Sequence, residues 1–108
     1  MTDAEFESMA DATLAAVARA LDKAALDADV EAKGTGVLEL EFADGSKMVI
    51  NRHTAAREIW VAARSGGFHF RYHEEGAWRD TRNGAELYAA LSQMVSAQGA
   101  AAVNLAPD

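Results

Sequence analysis

Residues 37–52, VLELEFADGSKMVINR, alternate apolar and polar side chains on both sides of an Asp-Gly pair. Val37-Leu38-Glu39-Leu40-Glu41-Phe42 and Lys47-Met48-Val49-Ile50-Asn51-Arg52 read as two strands with one apolar face each. Asp44-Gly45 between them readily adopts the positive φ angles of a tight turn, so the two runs make an antiparallel hairpin.

The same rhythm extends in both directions. Upstream, Asp29-Val30-Glu31-Ala32-Lys33 alternates and reads as a short strand. Downstream, Glu58–Ala63 forms the next strand, and Ser65-Gly66-Gly67 turns the chain into Phe68–Tyr72. A turn at Glu74-Glu75-Gly76 leads to a last short strand, Trp78–Thr81, which Asn83-Gly84 breaks. Outside this block the period changes to that of a helix. Phe6, Ala10, Leu14, Val17 and Leu21 form one apolar stripe. Thr2 and Glu5 supply a capping box at its start, and the helix is expected to end between Lys23 and Leu26. A second helix is expected over Ala85–Ala97, with Leu87, Leu91, Met94 and Val95 buried and Gly99 as its stop. The only proline, Pro107, falls in a tail expected to fray. Short connections make the strands a meander. The expected fold class is therefore α+β. It is a two-layer α/β sandwich, with two terminal helices on one face of a five- or six-stranded antiparallel sheet.

The period of two assigns the faces of that sheet. Leu38, Leu40, Phe42, Met48, Ile50, Ile59, Val61, Phe68, Phe70 and Tyr72 point toward the helices. Glu39, Glu41, Lys47, Val49, Asn51, Trp60, Ala62, His69 and Arg71 point to water. A tryptophan on a solvated face has two readings. Either Trp60 lies flat over its neighbours, or it is a partner-binding anchor of the kind that Trp and Arg supply.

The chain has 108 residues, the size of one domain, so residues 1–108 are expected to form a single unit. Half the residues are hydrophobic, enough for one core, and no apolar run is long enough to span a membrane. The acidic start MTDAEFE lacks the basic and apolar segments of a signal peptide, which makes the cytoplasm the expected location. There are no cysteines, which removes disulfides, thiolate nucleophiles and cysteine-held metal centres. A pI near 4.8 argues against nucleic acid as a partner.

Charge is distributed unevenly. Residues 1–41 carry ten acidic side chains against three basic ones, and residues 42–108 carry seven of each. The net charge of −7 therefore sits in the N-terminal third. At 100° per residue, Glu7, Asp11 and Asp22 fall within an arc of about 60° beside the apolar stripe. Asp27 follows in the loop, and Asp29 and Glu31 share one face of the first strand. The expectation is an exposed ridge running from helix to strand edge. Its oxygen donors suit hard cations bound weakly through a few carboxylates and water. They equally suit a basic protein surface, or solubility alone. No EF-hand, two-His-one-carboxylate set, phosphate loop or catalytic triad is legible. His69 and His73 would stand about 13 Å apart on a strand, too far to chelate one metal.

Taken together, several motifs resemble bacterial frataxin, the CyaY family. They are D-x-E-F at Asp3–Phe6, G-V-L-E-L-E-F at Gly36–Phe42, D-G-S-K-M-V-I-N-R at Asp44–Arg52, E-I-W-V-A at Glu58–Ala62 and G-G-F-H-F at Gly66–Phe70. The resemblance covers nearly the whole chain. It implies a non-enzymatic accessory protein of iron–sulfur cluster assembly that binds Fe²⁺ and Fe³⁺ weakly at an acidic ridge. It also implies contact with the cysteine desulfurase and scaffold machinery. Carried over by position, the metal ridge is Asp3, Glu7, Asp11, Asp22, Asp27, Asp29 and Glu31. The partner-facing sheet surface matches Asn51 and Trp60, with His69 nearby. The chain departs from the family at Ala18-Arg19-Ala20-Leu21-Asp22-Lys23, where bacterial relatives often carry more acids. Arg19 and Lys23 are expected to pair with nearby carboxylates and thin the ridge. A metal-independent acidic interaction module remains the alternative. An iron store with ferroxidase-like activity is disfavoured by the absence of Glu-x-x-His motifs. A monomer is expected.

Overall fold

The alternation and capping signals are realised in a computed structural model that describes residues 1–108. Helix α1 spans Asp3–Lys23. Its capping box is closed: the Thr2 N–H donates to Glu5 Oε1 at 2.8 Å, and the Glu5 N–H donates to Thr2 Oγ1 at 3.1 Å. Both bonds satisfy backbone donors that the first helical turn leaves free. Six strands follow in chain order: β1 (Ala28–Ala32), β2 (Val37–Phe42), β3 (Lys47–His53), β4 (Glu58–Ala63), β5 (Gly66–His73) and β6 (Ala77–Asp80). They form one antiparallel meander in the order β1-β2-β3-β4-β5-β6, so the sheet has six strands. Helix α2 spans Leu87–Gly99.

Both helices lie on the face carrying Leu38, Leu40, Phe42, Met48, Ile50, Ile59, Val61 and Phe70, all buried, as the alternation predicted. They bring Phe6, Leu14, Val17 and Leu21 from α1 and Leu87, Leu91, Met94 and Val95 from α2. Trp78 is buried beside Phe6 and Tyr72 in edge-on contacts. Its indole N–H donates to Thr13 Oγ1 at 3.0 Å, joining β6 to α1.

Three expectations differ from what forms. Helix α2 begins two residues late. Arg79 and Glu86 form an antiparallel bridge, and Asp80 N–H donates to the Ala85 carbonyl at 2.8 Å, so this segment stays extended. The Glu86 carboxylate then caps α2 through the N–H groups of Tyr88 and Ala89. Gly99 belongs to the helix, and the left-handed residue that ends it is Ala100 at φ 55°. A Cβ at Gly99 would lie 3.3 Å from the Phe42 ring, so packing, not backbone freedom, favours glycine there. The tail is not frayed. Leu105 is buried, and Ser92 and Ser96 on α2 bond the backbone of Leu105 and Val103. Asp108 meets Arg19 on α1 at 2.6 Å.

Candidate functional site

The acidic residues of α1 divide into two groups. Near its N-terminus they are engaged internally. Asp3 pairs with Arg57 at 2.7 Å. Glu7 accepts a hydrogen bond from Thr54 Oγ1 at 2.9 Å, and Asp11 Oδ2 accepts one from Arg52 Nη1 at 2.5 Å. Arg52 also approaches Glu7, at 3.9 Å. Its side chain is only 18% exposed, because it runs from β3 to α1 past Gly36. A Cβ at Gly36 would fall 2.6 Å from Arg52 Nε, and Gly36 has φ +78°. Glycine is thus required there twice, for its conformation and for the space. Asp11 Oδ1 is buried and has no hydrogen-bond partner, so Arg52 carries most of the compensation for this carboxylate.

At the other end of the helix the carboxylates are free. Asp22, Asp27 and Asp29 are exposed and take part in none of the ion pairs. Arg19, expected to neutralise the ridge, is drawn to Asp108 instead. Asp22 and Asp29 both border one cleft between α1 and β1.

The strand register adds two acids that the chain's local pattern did not assign to the ridge. Asp29 lies directly opposite Glu41, and Glu31 opposite Glu39. Like charges in facing positions repel, so this patch of four carboxylates is held at some cost in stability. Lys33 at 2.5 Å from Glu31 and Lys47 at 3.5 Å from Glu39 offset part of it. The Lys33 ammonium also holds the Glu31 carboxyl below its ordinary range. Strand alternation had placed Glu39 and Glu41 on the outer face. Only the register shows that they complete the patch. No three acidic or histidine side chains converge into a metal cage. A cation on this surface would meet one or two carboxylates and otherwise water.

The outer face of the sheet holds the second constellation. Asn51 and His69 flank Trp60 as its register partners on β3 and β5. The indole is stacked between two imidazoles, His53 at 3.7 Å and His69 at 4.4 Å between ring centroids, tilted by 11° and 10°. The three rings, carried by the neighbouring strands β3, β4 and β5, lie nearly parallel and face to face, so the indole packs against the ring faces of its neighbours. Glu58 is 6% exposed beneath them, an unusual burial on the solvated face. Its carboxylate accepts from Trp60 Nε1 at 2.8 Å and from Arg71 Nη2 at 2.8 Å, and lies 3.4 Å from His69 Nδ1. His53 Nδ1 in turn accepts the Ala56 N–H at 3.3 Å. Trp60 is therefore held in one orientation by stacking and a hydrogen bond. Sequence reasoning had singled out Asn51, Trp60 and His69. It missed His53 and Glu58, of which Glu58 was detectable as the residue two before Trp60 on the same face.

Residues 1–101 match the frataxin-like domain family model. The chain is 50% identical to the iron-sulfur cluster assembly protein CyaY of Paraburkholderia phymatum, over 99% of this chain and all of that one. It is 51% identical to the CyaY of Ralstonia nicotianae, over all of this chain and 97% of that one. Among solved structures, frataxin from Psychromonas ingrahamii superposes with a TM-score of 0.87 at 30% identity, covering 96% of this chain and 97% of that one. Trimeric frataxin from Saccharomyces cerevisiae, complexed with ferrous iron, superposes with a TM-score of 0.72 at 29% identity, over 84% and 85% of the two chains.

Proposed function

Because this chain belongs to the frataxin-like family, we propose that it is an accessory protein of iron–sulfur cluster assembly, acting in the cytoplasm as a monomeric single unit and not as an enzyme. Iron is its cargo and signal. The acidic edge built from Asp22, Asp27, Asp29 and Glu31, extended by Glu39 and Glu41, takes Fe²⁺ weakly through solvated carboxylates. It also docks on a basic surface of the cysteine desulfurase. Asp3, Glu7 and Asp11 belong to the same edge but are balanced by Arg57 and Arg52, so they contribute less field. The outer sheet face around Asn51, Trp60 and His69 packs against the scaffold or the desulfurase. A preoriented indole loses little freedom on binding, which is the property of an interface anchor.

The observation that carries this reading is the absence of any partner for Asp22, Asp27 and Asp29, combined with the facing acidic pairs on β1 and β2. Unpaired and mutually repelling carboxylates are relieved by a cation or a basic surface. The test measures cysteine desulfurase turnover with and without the protein, at zero and raised Fe²⁺. It compares wild type with the Asp22→Asn/Asp29→Asn/Glu31→Gln variant. An iron-dependent change that the variant loses supports the reading, and an unaltered variant refutes the edge as the active surface. One observation favours the metal-independent module: no three acidic side chains converge. A change in turnover that ignores iron would establish that alternative.

A further inference from the structure

The two edges of the sheet are not equivalent. The edge at β6 is closed by the Arg79–Glu86 bridge and the bond from Asp80 N–H to the Ala85 carbonyl. The edge at β1 is open, since β1 pairs only with β2. Lys33 donates its N–H to the Val37 carbonyl at 3.0 Å, so Glu31 and Asp29, in step with it, turn their backbone groups toward β2. Val30 and Ala32 then present their N–H and C=O groups outward. Side chains alternate with the same period. Asp29 and Glu31 point to the outer face, while Ala28, Val30 and Ala32 point to the helix side. On that side lies a cleft of about 430 Å³ between α1 and β1, whose walls include Leu21, Leu26, Val30 and Leu38.

We propose that β1 is a docking edge for an extended segment of a basic partner protein, which adds antiparallel as a seventh strand. Lysine or arginine side chains of that segment lie over Asp29 and Glu31. The apolar side chains between them enter the cleft beside Leu21 and Leu26. Strand addition supplies backbone hydrogen bonds, and the alternating side chains supply specificity. Charge identifies the occupant. A second copy of this chain would set its own Asp29 and Glu31 beside these and be repelled. A charge that merely guards the edge against pairing would have no need of an apolar cleft next to it. The inference rests on the reading above that the acidic edge docks a basic partner, and it adds the mode of docking.

The test uses the full chain, isotopically labelled, and a short peptide alternating lysine and valine. Controls are a block peptide of the same composition and two N-methylated versions of the alternating peptide. In antiparallel addition the valine N–H groups face β1 and the lysine N–H groups face away. The alternating peptide is expected to bind about tenfold more tightly than the block peptide, since two or more backbone bonds are at stake. It should also slow exchange of the Val30 and Ala32 amides. Methylation at valine should remove that gain, and methylation at lysine should leave it. Equal binding by both unmethylated peptides, insensitive to methylation, would overturn strand addition while leaving charge-driven docking intact. No binding of either peptide at low salt would overturn both. Concentration-dependent protection of Val30 and Ala32 without peptide would assign the edge to a second copy and likewise overturn the proposal.

Discussion

Replacing Arg52 with methionine keeps the aliphatic stem packed beside Gly36 and removes only the guanidinium. Its magnitude follows from where the charges sit. Breaking a fully buried pair by deleting one partner costs about 3–5 kcal/mol, whereas exposed pairs are worth about 0–1 kcal/mol. Arg52 is 18% exposed and Asp11 41%, so this pair lies between those limits. Asp11 Oδ1 is already without a partner, and the variant leaves Oδ2 without one as well. Glu7 and Asp11, one helical turn apart, then repel by a few tenths of a kcal/mol. The expected loss is about 2 kcal/mol, or a fall in melting temperature of roughly 10 °C. Thermal and denaturant unfolding measure it.

Two further readouts show whether the cause is right. Gly36→Ala drives a Cβ into Arg52 and should damage the same contact, so the double variant should cost less than the sum of the single ones. Freeing Glu7 and Asp11 should also strengthen Mn²⁺-induced broadening of their amide resonances. Loss of one positive charge near a divalent ion is worth about 1 kcal/mol in water, roughly fivefold in affinity. If Arg52→Met unfolds within about 0.5 kcal/mol of wild type, the pair behaves as an ordinary surface contact and the reasoning fails.

Trp60→Phe preserves a ring between His53 and His69 but deletes the N–H that meets Glu58. It should cost about 1 kcal/mol and leave partner binding largely intact, whereas Trp60→Ala should weaken both, as unfolding and binding titrations with the scaffold would reveal. Truncation after Ala102 removes Leu105 from the core and strips the tail from Ser92 and Ser96, with an expected loss of about 2–3 kcal/mol in urea unfolding. An unchanged midpoint would make the tail passive. Bonds from Ser46, then from Arg64, hold the Asp44 carboxyl well below its ordinary value, and the bonds from Thr2 lower that of Glu5. Because these folded-state values are depressed, their stabilisation is complete at neutral pH and is lost as pH falls through them, below about pH 4. Asp44→Asn should therefore flatten the acid limb of the melting-temperature profile, and an identical limb would contradict the assignment.

The layout of the sandwich was legible because its signals are local. Alternation in residues 37–52, the Asp-Gly turn and the apolar stripe of α1 each depend on neighbours a few positions away, and all agree on one core. Errors fell where a distant contact overrode a local preference. The bridge from Glu86 to Arg79 delayed α2. The Phe42 ring, not helix termination, claimed Gly99. Docking of Leu105 into the core ordered a tail that has only a terminal proline as a local signal.

The candidate site divides in the same way. The sequence by itself determined which acids exist, that Asp29 and Glu31 share a strand face, and that Asn51, Trp60 and His69 look outward, since these follow from periods of 3.6 and 2. Which charges are free was decided only by the tertiary structure. Arg52 reaches Asp11 across 41 residues, and Arg19 reaches Asp108 across 89. Strand register likewise set Glu39 and Glu41 against Glu31 and Asp29, and put His53 opposite Glu58, from where its ring stacks diagonally on Trp60. Periodicity fixes the direction of a side chain. Its partner, and hence the local field, depends on how separate elements pack.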